Sequence, residues 1–202
     1  MRSTDLATTS GFVLIGGQSR RLGMDKASYP IGGIPAADLL ASRLEKVCDG
    51  GVVLVGRDRA PWSSYESVPD SRSGFGPISG LLTALEHCDS EYAFVLATDL
   101  WNVTSAGIQS ILHGITDNGH DLLSDVAYAA TQAGRGQPLC SVWRVRSTIE
   151  IVRRRIGSGE LSIFGLLGEL HSTSVTLGDV QLRNVNEPQD LESFLRQVVD
   201  ER

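Results

Sequence analysis

Short apolar runs alternate along this chain with segments whose apolar residues recur at helical spacing. Phe12–Ile15 reads as a buried strand, and Ala36–Val47, with Leu39, Leu40, Leu44 and Val47, as a helix. Gly51–Val55 is β-branched and reads as a second strand, Ser79–Cys88 as a helix, and Tyr92–Ala97 as a third strand. Ala106–Gly114 and Ile149–Ile156 read as helices, Leu139–Val145 and Ser174–Leu177 as strands, and Asp190–Val199 as a closing helix. Alternating strands and helices at the front of the chain predict a mostly parallel sheet covered by helices on both faces. Such sheets bind ligands beyond the carboxyl ends of their strands. The polar stretch 1–10 is expected to be a flexible lead-in, and 11–202 one domain.

Where the first strand ends, the pattern changes abruptly. The run from Gly11 to Ile15 stops at Gly16-Gly17, followed by Arg20, Arg21, Gly23 and Lys26. Glycine lets backbone N–H groups approach phosphate oxygens, and the cations neutralise them, so LIGGQSRRLGMDK suits a triphosphate. A glycine turn with a solvated basic patch would look the same. The loop matches neither the Walker A spacing nor GxGxxG.

Three other stretches admit two readings each. Asp99 directly follows the third strand, where a carboxylate can bind Mg²⁺ beside phosphates or cap the next helix. In PDSRSGFGPISGL, Asp70 can accept from a guanine N–H within a glycine-shaped loop, or the stretch is only a long connection with Ser79 as a cap. In NVNEP, Asn184 and Asn186 form a turn before Pro188, or one supplies a carbonyl oxygen to metal or substrate. The run Arg153-Arg154-Arg155 is expected on a solvated helix face, with a role toward an anionic second substrate as the alternative.

Composition narrows the class. The chain has 202 residues, 41% hydrophobic and 21% charged, with net charge −6, which disfavours non-specific nucleic-acid binding. The cations at 20–26 therefore stand against an acidic background. Cys48, Cys88 and Cys140 are far apart and fit reduced thiols in a cytoplasmic protein. No CxxC or HxxxH spacing points to zinc, and no apolar run reaches the ~20 residues of a membrane span.

Taken together, these segments resemble the molybdenum cofactor guanylyltransferase (MobA-like) family. LIGGQSRRLGMDKA is similar to its opening signature LAGGxSxRMGxDKA, GPISGLLTAL to its GPLAGLLAAL, and QPLCSVWR and NVNEPQDL to its QPL and NVNTPEDL stretches. The resemblance implies a three-layer α/β/α, Rossmann-like nucleotidyltransferase fold. It implies transfer of GMP from GTP to molybdopterin, with release of pyrophosphate and a need for Mg²⁺. By matching position, Leu14, Ile15, Gly16, Gly17 and Gly80 would line the GTP site, and Asp70 would contact guanosine. Lys26 would pair with phosphates beside Arg20 and Arg21, and Asp99 would hold Mg²⁺. Asn184 and Asn186 match a region near the second substrate. No nucleic acid or membrane partner is implied; a monomer or weak homo-oligomer is, with other molybdenum cofactor biosynthesis proteins as partners. The chain departs from the family pattern at Ile15 (usually Ala), at Gly56 (an Asn) and at Leu100-Trp101 (an apolar residue and Pro). The alternative is a related nucleotidyltransferase, either a cytidylyltransferase for molybdopterin or one that uses another phosphorylated acceptor, or a non-catalytic nucleotide-binding homologue.

Overall fold

The computed structural model describes residues 8–17, 22–116 and 124–200, the last four without their side chains. In chain order the elements are β1 (Thr9–Leu14), β2 (Pro30–Ile31), β3 (Ile34–Pro35), α1 (Ala36–Glu45), β4 (Val52–Val55), β5 (Ser67–Val68), α2 (Pro77–Glu86) and β6 (Tyr92–Ala97). There follow α3 (Ser105–Thr116), β7 (Val126–Ala130), β8 (Gly136–Arg144), α4 (Val145–Ser158), α5 (Ile163–Leu167), β9 (Ser172–Thr176) and α6 (Pro188–Asp200). All ten elements expected from the periodicity are present, Tyr92–Ala97 with the expected bounds and the other nine with shifted ends. β1 starts at Thr9, and both Thr9 and Ser10 are buried, so the strand takes in the last two residues of the expected lead-in.

Seven strands form one sheet in the order β5-β4-β1-β6-β8-β7-β9. All neighbours pair in parallel except at β8, which is antiparallel to both β6 and β7. Alternation along the central strands divides the core in two. Phe12, Leu14, Ala93 and Val95 pack with α2, α4 and α5. Val13, Phe94 and Leu96 pack on the opposite face with α1, α3 and α6. The period-2 pattern of a strand buried on both faces thus yields three layers, α/β/α.

Parallel register brings the strand ends level. Leu14 lies opposite both Val55 and Ala97, so the loops after β1, β4 and β6 leave the sheet along one edge. Thr98 Oγ1 donates to the Leu14 carbonyl oxygen at 3.0 Å and closes the gap between two of these exits. Among the described residues no helix is long and apolar enough to cross a membrane. Cys48 and Cys140 are buried, Cys88 is half-buried, and all three are unpaired.

Candidate active site at the sheet edge

A cavity of about 590 Å³ opens at that edge. Its floor is Leu14, Ile15, Gly16 and Gly17 after β1, with Val55 and Ala97 at the neighbouring strand ends. Asp25, Lys26 and Ala27 close one side, Asp70, Gly74, Gly76, Pro77 and Gly80 another, and Thr98, Asp99 and Leu139 complete it. Of the expected site residues, Leu14, Ile15, Gly16, Gly17, Lys26, Asp70, Gly80 and Asp99 are therefore brought together. Arg20 and Arg21 lie outside the described residues.

Local sequence explains the shape of the walls. Gly17 has φ +134°, a conformation that L side chains rarely adopt. The expected Asn position, Gly56, has φ +120°, and a Cβ there would come 2.4 Å from the Gly16 nitrogen. No side chain fits at 56 because the backbones of the β1 and β4 loops touch. The departure at Ile15 has a similarly plain outcome. Ile15 is 1% exposed and belongs to the core on the α1 side, so only its main chain is available to the cavity.

On the opposite wall, α2 begins with Gly76 at φ 73° and Pro77 in its first turn, with no side-chain cap. Ser79 is not the cap expected for it. Its hydroxyl donates to the Arg72 carbonyl oxygen and holds the preceding loop against the helix. Gly80 lies against Leu14, where a Cβ would come 3.2 Å from Cδ2.

Charge is concentrated at two points. The Asp99 carboxyl is pushed above the usual carboxylate range by burial, partly opposed by the Lys26 charge. Lys26 is in turn lowered by burial and supported by Asp99 and Asp190. Asp70 is also raised by burial. Asp99 does not cap α3. That role falls to Thr104, whose Oγ1 accepts from Gly107 N at 3.1 Å. Asp99 is left facing the cavity.

The asparagines do something other than line this cavity. Asn186 Oδ1 accepts from Lys26 Nζ at 2.5 Å, and Asn184 Oδ1 accepts from Gln137 Nε2 at 3.2 Å. Between them, Val185 N donates to the Asp99 carbonyl oxygen at 2.8 Å. One short run thus fastens both charged residues. Asp190, in the first turn of α6, accepts from the backbone N–H groups of Asn186 and Glu187 at 2.9 Å and fixes the run itself.

Sequence reasoning missed Asp25, Arg57, Gln137 and Leu139. Arg57 donates to both carboxylate oxygens of Asp25, at 2.6 and 2.7 Å. That hydrogen-bonded guanidinium holds Asp25 below its ordinary value despite partial burial. The acid beside Lys26 was a visible signal, whereas nothing in the sequence ties it to Arg57. Trp101, where the chain departs from the family pattern after Asp99, is fully buried. It stacks on Tyr29 at 5.4 Å and meets Phe194 edge-on at 5.3 Å. The arginine run is not a uniformly solvated face. Arg155 is 5% exposed and pairs with Glu160 and Glu169, Arg154 pairs with Glu169, and Arg153 pairs with Glu86 and Glu150.

Known proteins are similar to this chain in sequence and in fold. A molybdenum cofactor guanylyltransferase from Desulfosudis oleivorans is 29% identical over 188 residues, covering 92% of this chain and 87% of its own. A probable molybdenum cofactor guanylyltransferase from Rhodopirellula baltica is 30% identical over 192 residues, covering 90% and 89%. The solved molybdopterin-guanine dinucleotide biosynthesis protein A from Archaeoglobus fulgidus has the same fold. It matches with a TM-score of 0.75 at 22% identity, covering 96% of this chain and all of that one. The family described as the MobA-like NTP transferase domain matches residues 11–169. The chain belongs to that family and is a nucleotidyltransferase.

Proposed function

We propose that this protein transfers GMP from GTP to the terminal phosphate of molybdopterin and releases pyrophosphate. The observation that carries the reading is the meeting of Lys26 and Asp99 with the Gly16-Gly17 floor and Asp70 in one cavity. An acceptor phosphate oxygen forms the new bond to the α-phosphorus, and the bond from that phosphorus to the α,β-bridging oxygen breaks. The nucleophile is already anionic, so no strong general base is needed. The difficulty is the meeting of two anions.

Lys26 offsets that repulsion as a fixed cation, held by Asn186 rather than left to swing. Arg20 and Arg21 follow the same strand and would add to it. The main chain at Leu14, Ile15, Gly16 and Gly17, with Gly80, forms the bed for the guanosine part, and Asp70 accepts from guanine N–H groups. Among the described residues no group of three or more His, Cys, Asp or Glu side chains could hold a metal. A lone buried carboxylate does suit Mg²⁺, which favours one or two carboxylates with phosphate oxygens and water. Asp99 would hold it, and Mg²⁺ would neutralise charge on the departing pyrophosphate. The three unpaired thiols fit a reducing cytoplasm.

The test is incubation with GTP, Mg²⁺ and molybdopterin, with the guanine dinucleotide and pyrophosphate measured, and CTP run in parallel. Dinucleotide formed from GTP in preference to CTP is the expected result. Preference for CTP overturns the guanine assignment.

A further inference from the structure

The strand order lays the site out in a line. Asp70 follows β5 at one end, Lys26 and Asp99 follow β1 and β6 in the middle, and β8 and β7 continue beyond them. On the reading above, the nucleoside occupies the first end and the reacting phosphates the middle, which leaves the β8–β7 end for the acceptor. That end carries a pair of aromatic rings.

Phe164 is 59% exposed, the most exposed large hydrophobic residue among those described. It stands on α5 beside Ile163, Leu166 and Leu167, which are buried. Ser162 caps that turn by accepting from Gly165 N at 3.1 Å, so the residue carrying the ring is held in place. Tyr128 on β7 is half-buried against the same core. The two rings converge on one bare position. A Cβ at Gly136 would lie 3.0 Å from Tyr128 Cε2 and 3.3 Å from Phe164 Cε1. Three residues along β8, Leu139 packs on that same core and lines the main cavity. The aromatic pair thus rests on the same core as a residue of the cavity wall.

We propose that Phe164 and Tyr128, over Gly136, form the platform on which the planar ring system of the acceptor stacks. A flat heteroaromatic ring suits it better than a sugar or an aliphatic acid. Offset and edge-to-face aromatic contacts reward a second ring specifically, and an exposed phenylalanine gains the burial it lacks in the free protein. Phe164 is thus an acceptor-binding residue, remote from the bonds that change. The inference rests on the transfer reaction proposed above.

The test pairs two measurements with molybdopterin itself as probe. In a fluorescence titration of its pterin ring, Phe164→Ala is expected to weaken binding about 5–10-fold, the scale of one aromatic contact. Phe164→Tyr should restore it, and Phe164→Leu should not. Gly136→Ala, which forces both rings aside by a few tenths of an ångström, should weaken it less. In steady-state transfer the acceptor KM should rise in step, with the GTP KM and kcat unchanged. Equal molybdopterin binding by wild type and Phe164→Ala overturns the platform even if transfer is robust. Absence of transfer by a wild type whose molybdopterin binding depends on Phe164 sinks the reaction instead and leaves the platform standing. Failure of the wild type to bind molybdopterin overturns both.

Discussion

Lys26 Nζ donates to Asn186 Oδ1 across 160 residues of sequence. The cation of the cavity wall is therefore positioned by the far end of the chain and not by its own loop. Lys26→Met keeps most of the volume and removes the charge, and is expected to slow pyrophosphate release from GTP by about 10²–10³-fold. Asn186→Ala leaves the charge but frees it. A charge-assisted hydrogen bond contributes about 1.5–3 kcal/mol, so a loss of roughly 10–100-fold in kcat/KM is expected. Pyrophosphate release checks both, and equal activity of Asn186→Ala and wild type would show that Lys26 needs no anchor.

Asp99→Asn separates stability from activity. Burial makes the ionised carboxylate costly in the free protein, as its raised pKa records. The neutral amide removes that cost, so thermal unfolding without ligand should occur at a higher temperature than in the wild type. The same change should abolish Mg²⁺-dependent pyrophosphate release. A lowered melting temperature would mean that the carboxylate holds the loop together.

The Asp25–Arg57 pair gives a pH signature. The folded-state pKa of Asp25 lies below its ordinary value of 3.8, so its stabilisation is complete above that pH and is lost as pH falls through the folded value. Each side chain is 31% exposed, so the pair contributes only about 1 kcal/mol. Urea melts of wild type and Arg57→Met should differ by a constant amount at neutral pH and converge in acid. The variant should also raise the GTP KM, because Asp25 immediately precedes Lys26.

Gly56→Ala is expected to destabilise the protein by about 2–4 kcal/mol. The positive φ is unfavourable to alanine, and the added Cβ meets the Gly16 backbone at 2.4 and 2.6 Å. Denaturant titration measures the loss, and isothermal titration with GTP should show weaker binding, since Gly16 must move.

Arg155 offers the contrasting case. Arg155→Ala removes a 6%-exposed cation that pairs with Glu160 and Glu169 and is expected to cost about 2 kcal/mol. Neither Arg155 nor its partners line the cavity, and the GTP KM should stay at its wild-type value.

How much of this could be read in advance depends on the range of each interaction. Strands such as Tyr92–Ala97 are continuous apolar runs flanked by polar residues, so their burial is written locally. So are the glycines and charges of the loop after β1. β7 escaped notice because VAYAA carries three small residues and only one β-branched one. Its place follows from β8 and β9 on either side. Arg155 in the triple-arginine run reads as solvated, because the buried environment comes from α5 and from Glu169 beyond it. Trp101 follows Asp99 so closely that it invites a place in the site. Its indole instead donates to the Thr98 carbonyl oxygen at 2.6 Å and lies between Tyr29 and Phe194, contacts that only the assembled chain supplies.

The reversed strand β8 has a consequence for the order in which the molecule assembles. β5, β4, β1 and β6 can pair among themselves from the first half of the chain. β7 cannot follow by joining β6, because β8 occupies the position between them. The second half can close its own β7–β8 hairpin and dock it as a unit on the waiting edge of β6. The sheet that looks continuous in the finished protein is thus expected to behave as two cooperative blocks meeting at β6 and β8. Native-state hydrogen exchange should resolve them as separate opening units, with the seam running directly beneath Asp99.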